Sequence, residues 1–352
     1  MNKKLYADGG YLDFDYILKN SEKHNCPFIF IVGGRGTGKT YGALKYTLEH
    51  DIEIMFMRRT QSQHDIIRKD EFSPYNALNR DLDLNIKFFP ISKYNSAIYN
   101  SSTDENGKAI PKGDMLGMTC ALSTISNLRG FSSSADIVIY DEFIPERHEK
   151  LIKSEASALF NALETIGRNR ELQGKKPLKL LALANANNIS NDIFVSLGLV
   201  GVAERMSKTG QELHYDHAKG IMLLILSESP ISDMKSYTKL YQMTQNTEFA
   251  EMSINNGFIG VAHDVIESQD LREYKLVCIV GELAIYKHKS QLKYYVTTHI
   301  SGNCSAVYTT SLNSLRTFRL KHRDLWVRYC LGSMRFESYT LQVLFEKYNR
   351  TC

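Results

Sequence analysis

The chain has 352 residues, 43% hydrophobic and 23% charged, the composition of an ordinary globular protein rather than a disordered or fibrous one, and its length suggests about two domains. With 43 basic and 39 acidic residues the net charge is +4, which permits a nucleic-acid partner without requiring one. No two of the six cysteines form a CxxC pair, the first residues lack the apolar core of a signal peptide, and no apolar run is long enough to span a bilayer. A reduced cytosolic protein with no membrane partner is therefore expected.

In chain order, residues 11–20 read as a short amphipathic helix. Phe28 to Val32 is a continuous apolar run between Pro27 and Gly33, the pattern of a strand buried on both faces. A glycine-rich turn and a helix from Tyr41 to Glu49 follow. Ile52 to Met57 is the next strand. Residues 61–83 are polar and mostly helical, and 86–122 hold weaker strands around Asn106-Gly107, a hairpin signal. Ile137 to Tyr140 is another buried strand. A helix is expected over 154–172 with Leu159, Ala162, Leu163 and Ile166 on one face, then strands at Leu178 to Ala184 and Ile221 to Leu226. Strands alternating with helices predict an α/β domain over 1–230, a mostly parallel sheet with helices on both faces. Residues 231–257 read as a helical linker. Residues 258–352, with strands at 276–280, 283–286 and 294–299 and two helical stretches, read as a small α+β domain.

Gly33, Gly34, Arg35, Gly36, Thr37, Gly38, Lys39 and Thr40 fit GxxxxGK followed by Ser or Thr, between a strand and a helix. Backbone amides of such a loop point at phosphates, and glycines let the loop close without Cβ clashes. Lys39 is then expected on the β- and γ-phosphates of ATP and the Thr40 hydroxyl on Mg²⁺. The strand ending in Asp141 and Glu142 supplies the second Mg²⁺ carboxylate, Asp141, and a general base, Glu142. That Asp-Glu pair favours the additional-strand class of P-loop ATPases over kinases and small GTPases. Asn185 ends the next strand, either as a γ-phosphate or water contact or as a turn former. Arg58 and Arg59 end a strand on the phosphate side, either as nucleotide contacts or as solvated edge. Arg168 and Arg170 form either a cationic last helical turn, favoured by the macrodipole, or an arginine finger.

Five segments resemble the DNA-packaging ATPase, or encapsidation protein, of phi29-like phages: IVGGRGTGKTYGA at 31–43, IVIYDEFI at 137–144, EASALFNALETIGRNRE at 155–171, LANANNISN at 183–191 and EFAEMSINNGFIG at 248–260. A weaker match lies at Met334 to Phe336. The P-loop is generic; the GRNRE and EMSINNGFIG stretches are far more specific. The resemblance implies an ATPase of the FtsK/HerA type that assembles as a pentameric ring and drives double-stranded DNA into a procapsid through the portal. It places the work in the cytoplasm of an infected bacterium. It implies a C-terminal domain resembling a nuclease, of RNase H-like fold, without its active site. It puts the finger, acting on a neighbouring subunit, at Arg168. A family basic residue falls near Arg129, touching DNA or the next subunit, with Lys108 and Lys112 as further DNA candidates. Some members use a packaging RNA. Residues 101–117 are longer than the family pattern, and the basic residues that follow Arg59 in the family are Gln61 and Ser62 here.

The candidate strands of the C-terminal domain carry no cluster of carboxylates, so a nuclease activity is not expected. His288 and His299 read as surface residues. The run Arg316 to Arg323 is the densest basic stretch, either a phosphate contact or a solvated helix face. The competing functions are another ring-forming DNA translocase or helicase, and a non-motor nucleotide switch that assembles on the portal.

Overall fold

The structure, a computed structural model, describes residues 3–128, 134–146, 149–186, 189–226, 230–231, 237–244, 247 and 265–350. It divides into two compact units, Met1–Asn188 with Met206–Ile259, and Ile189–Arg205 with Gly260–Cys352. The division differs from a single cut near residue 230, because residues 189–205 pack with the C-terminal unit. Most of the expected 231–257 linker lies outside the described residues; the described part holds the short helix Lys239–Met243.

The first unit is built on nine strands: β1 (Phe28–Val32), β2 (Ile54–Arg58), β3 (Ile86–Pro90), β4 (Asn95–Thr103), β5 (Ala109–Ala121), β6 (Ile137–Asp141), β7 (Lys179–Ala184), β8 (Leu213–Asp216) and β9 (Ile221–Ile225). Their order across the sheet is β3-β4-β5-β2-β6-β7-β1-β9-β8. The central pairs, from β5 to β9, are all parallel. β3 to β5 and the β8–β9 pair are antiparallel. β7 stands between β1 and β6, so the strand before the glycine-rich loop and the strand ending in Asp141 are not neighbours. β8, with its polar-apolar sequence Leu-His-Tyr-Asp, was not foreseen; it is a short, partly exposed edge strand.

The helices of this unit are α1 (Phe14–Lys23), α2 (Lys39–Glu49), α3 (Gln61–Ile67), α4 (Asn76–Asp81) and α5 (Glu155–Gly167). α1 starts on Asp13, whose carboxylate accepts from the Tyr16 amide. On one face of the sheet Ile29, Ile31, Ile54, Phe56 and Ile139 meet Phe14, Ile17, Ala43 and Leu44. Phe30 points to the opposite face, edge-on to Phe143 at 5.7 Å. α5 is shorter than expected. It stops at Gly167 because Arg168 and Asn169 both take left-handed backbone, at φ 36° and 56°. The hairpin of β4 and β5 turns at Asn106-Gly107 as its sequence predicts, with Gly107 at φ 78°.

In the second unit, β10 (Tyr274–Val280), β11 (Leu283–His288), β12 (Tyr294–Thr297), β13 (Val307–Tyr308) and β14 (Met334–Phe336) form a mixed sheet in the order β13-β10-β11-β12-β14. Helices Leu312–Lys321, Arg323–Cys330 and Tyr339–Arg350, one more than expected, bury Phe318, Leu325 and Phe345 against Val280, Ile285, Val296 and Phe336. Helix Asp192–Leu197 belongs here too: Lys347 pairs with Asp192 at 3.2 Å.

His64 on α3 has no solvent exposure, and burial, aided by Arg68, pushes its pKa down to about 4. The neutral ring is what fits the fold. Since the unfolded chain binds a proton near pH 6.5, stability is lost as pH falls from 6.5 towards 4, by about 2 kcal/mol at pH 5. Melting curves at pH 7.5 and pH 5 should therefore converge for His64→Leu relative to the wild-type chain; an equal drop in both proteins would remove His64 as the cause.

Candidate active site

Parallel pairing sets the geometry. Val32 of β1 lies opposite Ala184 of β7, and Asp141 of β6 opposite Leu183. The strands thus end together, and the segments that leave them meet at the carboxyl edge of the sheet, where open α/β sheets bind ligands. A cavity of about 380 Å³ opens there, lined among others by Gly36, Lys39, Thr40, Asp141, Glu142 and Asn185.

The glycine-rich loop runs from Gly33 into the first turn of α2. A Cβ at Gly33 would lie 2.7 Å from Leu226, so the loop leaves β1 through a gap only glycine fits. Gly38 sits at φ 81° directly before the helix, and its Cα faces the ring of Tyr11, 3.0 Å from where a Cβ would stand. The Leu12 amide donates to the Thr37 carbonyl at 3.2 Å, tying the N-terminal segment to the loop. Lys39 is nearly buried. Its ammonium donates to the carbonyls of Gly33 at 3.1 Å and Gly34 at 2.6 Å, and to Asn185 Oδ1 at 3.4 Å. A cation is thus held over a loop of backbone amides, an arrangement suited to a polyphosphate.

The Thr40 hydroxyl donates to Asp141 Oδ1 at 3.0 Å. These two hard oxygen donors, brought together by a helix start and a strand end, fit a small oxygen-loving cation such as Mg²⁺. Glu142 follows at φ 56°, a costly conformation for a residue with a side chain, and the kind that collects at working sites. Its carboxyl stands at the mouth of the cavity, 47% exposed. Its pKa is raised, first by the crowding of protein around it and then by Asp141, Glu149 and Glu146, against the pull of Arg58. A carboxylate shifted this way is a better proton acceptor than an ordinary glutamate.

Arg58 and Arg59 take different partners. Arg58 donates to Asp141 Oδ2 at 2.9 Å and also to the Glu142 carboxylate, so its guanidinium is committed to the two carboxylates rather than to the loop. Arg59 is entirely buried and ion-paired to Glu155 and Glu149, so it is not a solvated edge. Arg35 of the loop pairs with Glu146. Sequence reading missed Glu146, Glu149 and Glu155; the signal available was an acidic residue opening an otherwise apolar helix.

The remaining candidates lie elsewhere. Arg168 and Arg170 follow α5 at the opposite, amino-terminal edge of the sheet, beside Phe28 and Leu178 in a cavity of about 550 Å³. Arg170 is held there, donating to the Ala135 carbonyl at 2.8 Å and pairing with Asp136. Arg168 is exposed and, among the described residues, has no ion-pair or hydrogen-bonded side-chain partner. Lys108 and Lys112 stand on the exposed β4–β5 hairpin with Asp104, Glu105 and Asp114, two bases against three acids. Arg129 lies outside the described residues. In the second unit, strands β10 to β14 bear no acidic side chain. No cluster of three metal-ligating side chains occurs among the described residues, and Asp264 lies outside them. His299, mostly exposed, pairs with Glu337 at 3.3 Å. The basic run spans two helices whose inner residues Phe318 and Leu325 are buried while Arg316, Lys321 and Arg323 face solvent. No described helix is long and apolar enough to cross a membrane.

Residues 15–336 match the podovirus DNA encapsidation protein (Gp16) family. The chain is 23% identical over 333 residues to the DNA packaging protein of Bacillus phage B103, covering 90% of this chain and 94% of that one. It is 24% identical over 325 residues to the DNA packaging protein of Bacillus phage phi29, covering 90% and 85%. Two solved structures share its fold at 18% identity. One is the Phi-28 gp11 DNA packaging motor, with TM-score 0.64, covering 95% of this chain and 97% of that one. The other is the bacteriophage Phi-29 viral genome packaging motor assembly, with TM-score 0.62, covering 98% and 99%. The chain belongs to the podovirus DNA encapsidation family and is a viral DNA-packaging ATPase.

The geometry of Gly38 has a direct consequence. Gly38→Ala puts a methyl group against the Tyr11 ring and forces a left-handed alanine, a cost of about 1–2 kcal/mol. The melting temperature should fall by several degrees, and a fluorescent ATP analogue should bind at least tenfold more weakly in a titration. Wild-type affinity in this variant would show that the loop tolerates a different backbone when it closes on phosphate.

Proposed function

We propose that this packaging ATPase works as a ring that drives double-stranded DNA through a portal into a procapsid, each nucleotide being hydrolysed at a site completed by the neighbouring subunit. The observation that carries the reading is the separation of the two halves of the chemistry. Lys39, Thr40, Asp141, Glu142 and Asn185 meet at one edge of the sheet, while Arg168 stands at the other. The strand between them, β1, has five residues and a length of about 16 Å, farther than an arginine reaches. Arg170 is anchored to its own chain, which leaves Arg168 as the finger. The strand order, with β7 between β1 and β6, supports the additional-strand class.

Within the site, the amides of residues 34–40 and Lys39 bind the phosphates of ATP and neutralise their charge. Thr40 and Asp141 would hold Mg²⁺, which when bound would share that neutralisation. Glu142 takes the proton of the attacking water as its oxygen bonds to the γ-phosphorus and the bond from that phosphorus to the β,γ-bridging oxygen breaks, releasing ADP and inorganic phosphate, and Asn185, already beside Lys39, orients that end of the nucleotide. Arg58 must release Glu142 before it acts on water. The phi29 and phi28 neighbours are described as packaging motors, which supports action at the procapsid of an infected cell. A packaging RNA remains a partner by resemblance alone. Mixed charge on the β4–β5 hairpin weighs against Lys108 and Lys112 as a basic DNA lining.

The second unit we read as a nuclease-like, RNase H-related fold that has become a docking module. Its strands present residues such as Tyr, Val, Thr, Lys and Met and no carboxylate, which supports a unit that does not cut DNA. Incubated with supercoiled plasmid and Mn²⁺, the full chain should leave it intact. Nicking that survives repurification and vanishes in Asp324→Asn would overturn this.

The motor reading is tested by mixing subunits and measuring DNA-stimulated ATP turnover. Glu142→Gln alone should lose at least about 100-fold in turnover while still binding ATP, the scale of general-base catalysis. Arg168→Ala alone should lose about 10³-fold or more, the scale of arginine fingers in other P-loop enzymes. Mixed rings should regain activity where an intact Arg168 faces an intact Glu142. No recovery at any ratio, with mixed rings shown to form, would rule out action between subunits.

A further inference from the structure

Arg59 follows Arg58 at the end of β2, yet the two side chains serve different partners. Arg58 reaches Asp141 and Glu142. Arg59 makes a two-pronged pair with Glu155, Nε to Oε1 at 2.8 Å and Nη2 to Oε2 at 3.0 Å, and its Nη1 reaches Glu149 Oε2 at 3.1 Å. Glu155 is the first residue of α5 and is 4% exposed. The same carboxylate accepts from the hydroxyl of Tyr140 at 2.6 Å, and Tyr140 directly precedes Asp141 on β6. Glu149 also accepts from the Glu146 amide at 3.1 Å and from Gln63 at 2.9 Å, and Glu146 pairs with Arg35 of the phosphate loop.

We infer that Arg59 is a positioning residue for ATP hydrolysis: it fastens β2, the end of β6, the carboxylate segment carrying Glu142 and Glu149, and the start of α5 into one body, so that Glu142 and Arg168 shift together. Stability alone does not account for this arrangement. Taking a guanidinium and a carboxylate out of water is costly, and apolar residues of similar volume commonly stabilise as well or better. A forked, doubly bonded pair instead fixes direction and distance. What it fixes is the start of a 13-residue helix, about 20 Å long, whose other end is Arg168. The network therefore joins the base of one site to the cation delivered to the next. This inference rests on the roles proposed for Glu142 and Arg168.

The decisive variant removes the charges together: Arg59→Met, Glu155→Leu and Tyr140→Phe in one full-length chain. It leaves no buried ion unpaired, and Glu149 keeps Gln63 and the Glu146 amide. The expected result is a cooperative melt at or near the wild-type temperature and a KM for ATP within threefold of wild type. The kcat should fall at least tenfold, and the variant should complement Glu142→Gln subunits poorly in mixed rings. A structural role would lower the melt or leave kcat intact; a folded variant with wild-type kcat overturns the inference. Should the triple variant not fold, Arg59→Lys decides: charge kept and fork lost should lower kcat at unchanged KM, and wild-type kcat overturns it. The Arg168→Ala and Glu142→Gln mixture tests the trans reading separately. Its failure would leave the kcat result on Glu142 to be judged by itself.

Discussion

The parallel register of β2, β6, β7 and β1 is the constraint on which the site depends. Each strand contributes one piece of chemistry only because all four end at the same level. β1 releases the glycine-rich loop, β6 delivers Asp141 and Glu142, β7 delivers Asn185, and β2 delivers Arg58. A one-residue slip in any pair would turn side chains to the wrong face and move these groups apart. The apolar runs of the strands, buried on both faces, hold that register more firmly than any single contact at the site. Function here is a by-product of a core that cannot slide.

The ends of the strands carry concentrated charge. Asp141, Glu142, Glu146, Glu149 and Glu155 lie within a short stretch of chain, and three arginines, Arg35, Arg58 and Arg59, answer them. So many carboxylates would repel one another if left alone, and the raised pKa of Glu142 records that repulsion together with its crowding. The arginines divide the labour by burial. Arg58, near the cavity, holds carboxylates that a cation or phosphate can later claim. Arg59, fully buried, holds the buried Glu155 and the partly exposed Glu149.

The sequence made the α/β domain, the phosphate loop and the Asp141-Glu142 pair legible because those signals are local. Glycine spacing, apolar runs and a strand-ending acid pair are each readable within eight residues. Three things were not legible, two because they depend on partners far along the chain and one because a local backbone turn overrides the apolar pattern. Arg59 and Glu155 are 96 positions apart, and nothing near either residue announces the other. The end of α5 was misplaced because Leu172 continues the apolar pattern, whereas the left-handed turn at Arg168 and Asn169 breaks the helix. Residues 189–205 joined the second unit through Asp192 and Val195, a tertiary choice invisible to periodicity. The family resemblance supplied what spacing does not, namely the expectation that Arg168 is the arginine acting on a neighbour.

The fold itself treats the two arginines after α5 differently. Two successive left-handed residues at a helix end reverse the chain sharply, so side chains two apart leave in different directions. Arg170 is thereby turned inward to Asp136 and the Ala135 carbonyl, at the start of β6, while Arg168 is left facing outward. Among the described residues the Arg168 side chain has no ion-pair partner, at an exposed position whose left-handed backbone is costly. Its own phosphate loop is a full strand length away, at the opposite edge of the sheet. An arginine out of reach of its own phosphate loop is the geometry behind the proposal that Arg168 serves another copy of the chain, and a closed ring is the arrangement that would give every copy such a neighbour.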